Sequence, residues 1–322
     1  MFTNILIAVD GSPCGNRAAQ VGLEFARQLN TWVSFTHALV NGDNDERAQT
    51  TKELGQTLLE HWEHLAHEAN LEVNCHLQAG ASVAEVIIQA SEFQGANLIV
   101  MGTHGREGVP RLLLGSVAER VMRESQLPVM LVRVGKQESH KTPQFKSILV
   151  AVDGSKPSQL AFHQAKELAH DLGAALEILH VIPDLPAQYL SGFEYGSFID
   201  IDRYQKDIEL EGKAIMDSIH AQLKADPATP AKFVATQIKA QGERPSDVIV
   251  RVAKEHQADL IVMGTHGYQG FDRLLLGSVA EWVAHRAETP VLLMRALEVK
   301  TEQPIIAVSS QKVMASHDKR GF

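Results

Sequence analysis

The chain of 322 residues contains much of its own sequence twice. The opening ILIAVDGS, residues 5–12, returns as ILVAVDGS at 148–155, with seven of eight positions identical. A longer segment, MGTHGREGVPRLLLGSVAER at 101–120, returns as MGTHGYQGFDRLLLGSVAEW at 263–282, with fifteen of twenty identical. A repeat of this length indicates a duplicated domain, because solenoid units measure only about 20–50 residues. Both halves are therefore expected to share one fold.

The spacing of the matching segments predicts the domain limits. The first pair is offset by 143 residues and the second by 162, so the second half carries an insertion, placed around 183–198. We predict domain one over 1–134, a polar linker over 135–144 and domain two over 145–296. Residues 297–322 are expected to form a polar, loosely held tail, since chain ends are ordered only where something ties them down.

Each half alternates short apolar runs with stretches of helical periodicity. Runs of this kind are typical of buried parallel strands. The predicted strands are 4–9, 32–40, 71–78, 96–102 and 127–134, then 146–152, 175–181, 231–238, 258–264 and 289–295. In domain one, helices are predicted from Pro13 to about Leu29, and over 46–70, 83–93 and 115–125. Since strands joined by helices need right-handed crossovers, each half is predicted to be an α/β domain with a five-stranded parallel sheet and helices on both faces.

Composition excludes several classes of protein. A net charge of −9 and a pI near 5.9 disfavour a nucleic-acid binder, because phosphate neutralisation needs clustered Lys and Arg. The two cysteines, Cys14 and Cys75, are too few for a disulfide scaffold and are typical of a reducing compartment. The N-terminus lacks the pattern of a secretory signal, and no apolar run approaches the ~20 residues of a membrane span. We expect a soluble, cytoplasmic protein without membrane or nucleic-acid partners.

Two loops are placed where a sheet of this kind binds ligands, beyond the carboxyl ends of its strands. Asp10 follows the first strand, and a loop with Gly102, Gly105, Gly115 and Ser116 follows the fourth. Glycines let backbone N–H groups approach a phosphate, and the helix that opens after Gly115 favours negative charge at its start. Asp10 could accept hydrogen bonds from a ribose hydroxyl or an adenine amino group. The second half repeats the set as Asp153, Gly264, Gly267, Gly277 and Ser278.

A plainer interpretation of these loops stays open at this point. The glycines could serve only tight turns, with Ser116 as the N-cap of the next helix. The recurrence of the whole set in the second half, with an Asp after the first strand each time, favours a nucleotide site. Neither G-x-x-x-x-G-K-[ST] nor G-x-G-x-x-G occurs, so the P-loop and dinucleotide-binding classes are excluded.

The motif G-x2-G-x9-G-[ST], after a strand ending in Met-Gly, resembles the ATP-binding loop of the universal stress protein superfamily. The opening ILIAVDGS and the closing L-P-V-x-L-V are similar to the same family. The resemblance covers nearly the whole chain, once in each half, as in a tandem-type member. It implies a strand order of 3-2-1-4-5, ATP binding, and pairing of the two halves through their fifth strands as a pseudo-dimer.

The resemblance also implies which positions contact the nucleotide. The adenine and ribose side falls on Ala8, Asp10 and Ala38, and the phosphate side on Met101, Gly102, Gly105, Gly115, Ser116 and Val117. The matching positions of domain two are Ala151, Asp153, Val181, Met263, Gly264, Gly267, Gly277, Ser278 and Val279. Ala38 replaces a usually larger aliphatic residue, and Arg106 has Tyr268 as its counterpart. These departures leave open which half binds more tightly.

The leading hypothesis is a regulatory ATP-binding protein of the stress response, with nucleotide in one or both domains. A divalent ion such as Mg2+ is expected to accompany the triphosphate. Asp10 and Asp153 are the only acids placed at the sites, and a dedicated ATPase needs a water-activating carboxylate and metal-holding acids. The alternatives are a slow ATP-hydrolysing enzyme and a nucleotide-free scaffold for protein partners. Association of two chains as a homodimer stays open.

Other reactive side chains receive plainer interpretations. In GSPCG, residues 11–15, the position of a nucleophile is taken by Pro13, so Cys14 is interpreted as an inert thiol at a helix start. His104 and His266 lie in the glycine loops and are interpreted as structural or phosphate-contacting residues, because neither has a readable acidic partner. A solvated helix face is favoured over a metal site for the spaced histidines His61, His64 and His67.

Overall fold

A computed structural model describes residues 1–40, 45–104, 114–135, 144–184, 201–226, 229–265 and 277–295. The first half comprises β1 (Asn4–Ala8), α1 (Pro13–Leu29), β2 (Trp32–Val40), α2 (Asp45–Glu68), β3 (Val73–Gly80), α3 (Val83–Phe93), β4 (Leu98–Gly102), α4 (Ser116–Glu124) and β5 (Val129–Val132). The second comprises β6 (Ser147–Ala151), α5 (Lys156–Leu172), β7 (Ala175–Ile182), α6 (Ile201–Ala225), β8 (Phe233–Lys239), α7 (Pro245–Glu255), β9 (Leu260–Gly264), α8 (Ser278–Arg286) and β10 (Val291–Met294). Each strand ends within two residues of its predicted limits. In the ranges described, no helix combines the length and apolarity needed to cross a membrane.

The ten strands form one sheet in the order β3-β2-β1-β4-β5-β10-β9-β6-β7-β8. Each half therefore has the order 3-2-1-4-5 that the family resemblance implies, with every pair inside a half parallel. The halves meet through their fifth strands, which pair antiparallel with Leu292 opposite Met130. The expected pseudo-dimer is thus confirmed within a single chain.

Local sequence signals begin and end the helix that follows the first strand of each half. The Oγ of Ser12 accepts a hydrogen bond from the Gly15 amide at 3.0 Å and so caps α1, and Pro13 occupies its first turn. The helix ends at Asn30, whose φ of 49° is left-handed. In α5, Ser155 is the N-cap and Gly173, with a left-handed φ of 63°, is the C-cap.

The hydrophobic core lies in two layers, one on each face of the sheet. We call the side covered by α1, α2, α5 and α6 the front face, and the side covered by α3, α4, α7 and α8 the back face. Successive strand residues alternate between them, so Ile7 packs in the front layer and Leu6 in the back layer. Each layer crosses the β5–β10 junction, with Met130 and Leu292 in the front layer. The two halves consequently share both cores.

Phe145, which lies just before β6, is buried in the front layer of the first half. Its ring is fully buried and meets the ring of Phe25 on α1 edge-on, with centroids 4.7 Å apart. Phe25 in turn lies 6.2 Å from the ring of Phe2. The residue that introduces the second half therefore packs against a helix of the first half, and this contact adds to the strand pairing.

We expect Phe145→Ala to lower the free energy of unfolding by about 3–5 kcal/mol, because truncation of a buried Phe removes apolar contacts and leaves a cavity. Denaturant titration followed by circular dichroism measures the change. Leu210→Ala on α6 is the control, since this side chain is 64% exposed and its loss should change stability by less than about 0.5 kcal/mol. Equal midpoints for Phe145→Ala and the native chain would contradict the structural role of this ring.

Candidate functional site

The strand order reverses between β1 and β4 in the first half, because β1 lies between β2 and β4. The connection after β1 passes to a helix on the front face, and the connection after β4 passes to a helix on the back face. A cleft therefore opens at the carboxyl ends of these two strands. Ala8 ends β1 and packs against the back layer while staying partly exposed. Ala38, on the adjacent strand, is also partly exposed. Two of the residues expected on the adenine side thus lie at the edge of the cleft.

Asp10 is fixed beside the start of α1. Its Oδ1 accepts a hydrogen bond from the Ser12 amide at 2.9 Å and another from the Ser12 Oγ at 2.6 Å. A Cβ on Gly15 would lie 2.2 Å from the same Oδ1, so only glycine leaves room for the carboxylate. In the second half, Asp153 Oδ1 accepts from the Ser155 amide at 2.9 Å. Both carboxylates are therefore oriented by the local chain before any ligand arrives.

The glycine at the end of the fourth strand serves close packing. A Cβ on Gly102 would lie 3.0 Å from the carbonyl carbon of Cys14 in α1, and one on Gly264 would lie 2.7 Å from the Cβ of Pro157 in α5. This is a reason for glycine in addition to the phosphate approach predicted from the sequence. The preceding residues, Met101 and Met263, bury their side chains in the back layer and are 4% and 5% exposed.

The helix after the fourth strand begins with a glycine cap in each half. Gly115 is the N-cap of α4: its amide donates to the Thr103 carbonyl at 2.8 Å, and its carbonyl accepts the first helical bond, from Glu119, at 3.0 Å. Gly277 makes the same two contacts in α8, at 2.8 and 2.9 Å. The interpretation of Ser116 as the cap is wrong, because Ser116 is the first residue inside the helix.

This geometry leaves the start of α4 suited to an anion. The first amides of a helix have no intrahelical acceptor, and Gly115 has no side chain with which to cap them. The helix dipole adds a partial positive charge at the same end. Ser116 presents an exposed hydroxyl there, while Val117 is partly buried and packs on the same back layer as Ala8. Val279 and Ala151 share that layer in the second half.

Several predicted residues lie outside the described ranges. They are Gly105, Arg106, Gly267, Tyr268, His266, residues 136–143 of the predicted linker, the tail 297–322 and the insertion beyond residue 184. The described part of each site therefore consists of the first-strand carboxylate, the end of the fourth strand and the glycine-capped helix.

The two cysteines and the histidines of α2 occupy structural or surface positions. Cys14 is buried, and its Sγ donates to the Val132 carbonyl at 3.2 Å. Burial, with a smaller contribution from the charge of Glu63, raises the pKa of Cys75 to about 12. No group of three or more His, Cys, Asp or Glu side chains within the described ranges is arranged to hold a metal ion. On α2, exposed side chains are found for His61, His64 and His67.

The two halves differ beside the capped helix. In the first half, Arg120 donates to Ser82 Oγ at 2.8 Å and pairs with Glu124 at 3.0 Å. The corresponding position of the second half is Trp282, whose ring lies 4.7 Å from the guanidinium carbon of Arg244 and 4.9 Å from that of Arg286. A hydrogen-bonded network of Arg120, Ser82 and Glu124 is thus replaced by an exposed aromatic ring in contact with two arginines, of which Arg286 also pairs with Asp247 at 2.7 Å. The surroundings of the two sites are not equivalent.

Sequence reasoning gave no role to two histidines that the structure places behind the sites. His37 and His180 each lie one residue before a predicted ligand contact. The ring of each is hydrogen bonded to the backbone carbonyl of the residue that precedes the site aspartate, Val9 or Val152. The signal that could have found them is their recurrence at the repeat offset of 143 residues within a matching strand.

Fold and geometry together define a duplicated α/β protein with two similar clefts, each containing a fixed carboxylate and a glycine-capped helix. The model of the universal stress protein family matches residues 1–133 and 144–295, so the chain belongs to this family and carries its domain twice.

Individual relatives agree with this assignment. The chain is 28% identical over 305 residues to a universal stress protein of Mycobacterium tuberculosis, covering 90% of this chain and 96% of the relative. It is 34% identical over 153 residues to a universal stress protein of Bacillus subtilis, covering 47% of this chain and 99% of the relative. The crystal structure of a universal stress protein from Archaeoglobus fulgidus has a TM-score of 0.67 at 22% identity, covering 92% of this chain and 97% of that one. That structure shows the same fold.

Both thiols are expected to be unreactive in the native protein. With a pKa of about 12, Cys75 holds little thiolate at pH 8, and the Sγ of Cys14 is buried. Ellman's reagent at pH 8 should therefore titrate no thiol in the native chain within minutes and two after unfolding in guanidinium. Rapid reaction of one thiol in the native chain, assigned with Cys14→Ala and Cys75→Ala, would contradict this.

Proposed function

We propose that the protein binds an adenine nucleotide, ATP in the first place, in one or both of its clefts, and that binding itself is its function in the stress response. One observation carries the proposal: the chain builds the same two features twice, a carboxylate oriented after the first strand and a helix after the fourth strand whose first amides have no side-chain cap. A nucleotide combines hydroxyl donors for the carboxylate with phosphates for the helix.

The proposed contacts follow the geometry of the first cleft. Asp10 would accept from the ribose, with Ala8 and Ala38 offering small, partly exposed side chains toward the base. The first amides and the hydroxyl of Ser116 would donate to the phosphates, since they lie at the positive end of α4. Gly102 and Gly105 are proposed as further main-chain contacts. The second cleft would use Ala151, Asp153, Val181, Gly264, Gly267, Gly277, Ser278 and Val279 in the same way.

Regulation rather than catalysis is the better supported role. The site carboxylate accepts two hydrogen bonds from Ser12 through Oδ1, and the proposal gives it the role of an acceptor for the ribose. No metal-holding cluster lies among the residues whose placement is described. Mg2+, if it accompanies the triphosphate, would neutralise phosphate charge and take its ligands mainly from the phosphate oxygens and water. The proposal therefore includes slow hydrolysis at most.

Nucleotide content is the direct test. The protein is purified without added nucleotide and denatured, and the released nucleotide is quantified by chromatography against protein concentration. We expect one or two adenine nucleotides per chain. An empty preparation that also shows no heat of binding on titration with ATP would overturn the proposal and favour the scaffold alternative.

A charge placed at the start of the capped helix separates binding from folding. In Ser116→Asp the new carboxylate interacts favourably with the helix dipole and stabilises the helix by about 0.3–1 kcal/mol, so the melting temperature should not fall. The same charge would repel a phosphate, and we expect ATP affinity at the first cleft to fall at least about tenfold, which corresponds to 1.4 kcal/mol. Calorimetric titration and thermal unfolding measure the two effects.

Ser116→Asn is the matched neutral control, and Ser278→Asp repeats the test in the second half. The double variant Ser116→Asp/Ser278→Asp should lose binding at both clefts. Native affinity in the double variant would show that the phosphates do not lie at these helix starts.

A further inference from the structure

Each half places a buried histidine directly behind its cleft. His37 on β2 is 5% exposed and His180 on β7 is 6% exposed. Along β7, Ile178 packs in the front layer while Leu179 and Val181 pack in the back layer, so alternation places His180 toward the front face. His37 follows Phe35 of the front layer in the same way. Both rings therefore lie on the face opposite the glycine-capped helices.

These histidines bond the chain at the last residue before the site carboxylate. The Nδ1 of His37 lies 2.6 Å from the Val9 carbonyl oxygen, and the Nδ1 of His180 lies 2.8 Å from that of Val152. A carbonyl only accepts, so Nδ1 carries the hydrogen in both rings. The Val9 amide donates in turn to the Thr36 carbonyl at 2.9 Å. Both polar backbone groups of Val9 are thus hydrogen bonded to β2. The position of Val9 is fixed, and Asp10 is the next residue in the chain.

A helix on the front face holds each ring from the other side. A Cβ on Gly55 of α2 would lie 2.7 Å from Cδ2 of His37, and one on Gly212 of α6 would lie 2.8 Å from Nε2 of His180. A larger residue at Gly55 would meet the His37 ring first, and one at Gly212 would meet the Gln237 side chain at 2.2 Å as well as the His180 ring. The combination of helix glycine, buried ring and bonded carbonyl occurs in both halves, although the sequences of α2 and α6 differ.

We propose that His37 and His180 are positioning residues of the two nucleotide clefts. Each side chain connects the loop that carries the site carboxylate to α2 or α6 on the front face. Nucleotide binding is thereby energetically coupled to the position of that helix on the sheet. The proposal rests on the proposed function for its ligand. It adds a defined route by which the front-face helices respond to an occupied cleft.

The test compares two replacements of His37 in a chain that also carries Ser278→Asp, so that titration reports the first cleft. His37→Asn keeps an N–H donor close to the place of Nδ1, whereas His37→Leu fills the space without a donor. We expect His37→Leu to weaken ATP binding about tenfold, the order of one buried hydrogen bond, and His37→Asn to restore most of it. Equal affinity of the two variants would overturn the proposal.

A second variant tests the coupling from the far side of the sheet. Gly55→Ala should weaken ATP binding in the same direction as His37→Leu, because the new methyl group displaces the ring. Gly22→Ala in α1 is the matched control, since its Cβ would crowd Ile7 to the same 2.7 Å without contacting a histidine. A loss of affinity in the control as large as that in Gly55→Ala would assign the effect to general crowding and overturn the coupling.

A ligand-free measurement separates this proposal from the proposed function. Hydrogen exchange of residues 9–12, read by mass spectrometry, should accelerate in His37→Leu and much less in His37→Asn. The equivalent residues 152–155 of the second half serve as an internal reference and should not change. If the parent chain binds no ATP, the proposed function fails, and this exchange difference alone decides whether the histidine holds the loop. Unchanged exchange in His37→Leu would overturn that role.

Discussion

The antiparallel pairing of β5 with β10 is the contact on which the rest of the architecture depends. It turns two five-stranded sheets into one sheet of ten strands and lets the apolar layers on both faces run across the junction. A lone fifth strand would expose an edge of unpaired backbone groups, which invites association with another chain. Here the duplicate half covers that edge, and Phe145 adds a buried aromatic contact between the halves.

The shared sheet also determines where the two clefts lie. Because β5 and β10 pair antiparallel, the carboxyl ends of the strands point in opposite directions in the two halves. The two clefts therefore open at opposite ends of the strands. Each cleft is built from backbone in close contact: Gly102 against Cys14, Gly264 against Pro157, and Gly115 against Thr103. Tight packing of this kind orients amides and carboxylates in advance and reduces the ordering that a ligand has to impose.

The chemistry of these clefts suits recognition. Their described polar groups are main-chain amides, a serine hydroxyl and one carboxylate that is already hydrogen bonded, and the proposed function assigns the phosphates and the ribose to this set. The histidines behind the clefts connect them to helices on the opposite face. The first half has the Arg120 network beside its cleft, and the second half has Trp282 with two arginines at the corresponding place. The two clefts therefore share a design but differ in their surroundings.

Much of the fold could be read from the sequence alone. Apolar runs predicted the strands to within two residues, because a buried parallel strand needs a continuous apolar stretch. The repeated motifs singled out Asp10, Gly115 and their counterparts as candidate site residues, since a duplicated pattern is visible without any three-dimensional contact. The order of the strands and the pairing of the halves came from the family resemblance and were confirmed by the structure.

Only the tertiary structure decided the finer features of the site. That Gly115 rather than Ser116 caps α4 depends on a bond to Thr103, twelve positions earlier. That His37 holds Val9, with Gly55 behind it, depends on contacts between β2, the end of β1 and α2. Periodicity and motif spacing record how a residue relates to its near neighbours in the chain. Contacts between distant segments are fixed by packing, and no local pattern in the sequence encodes them.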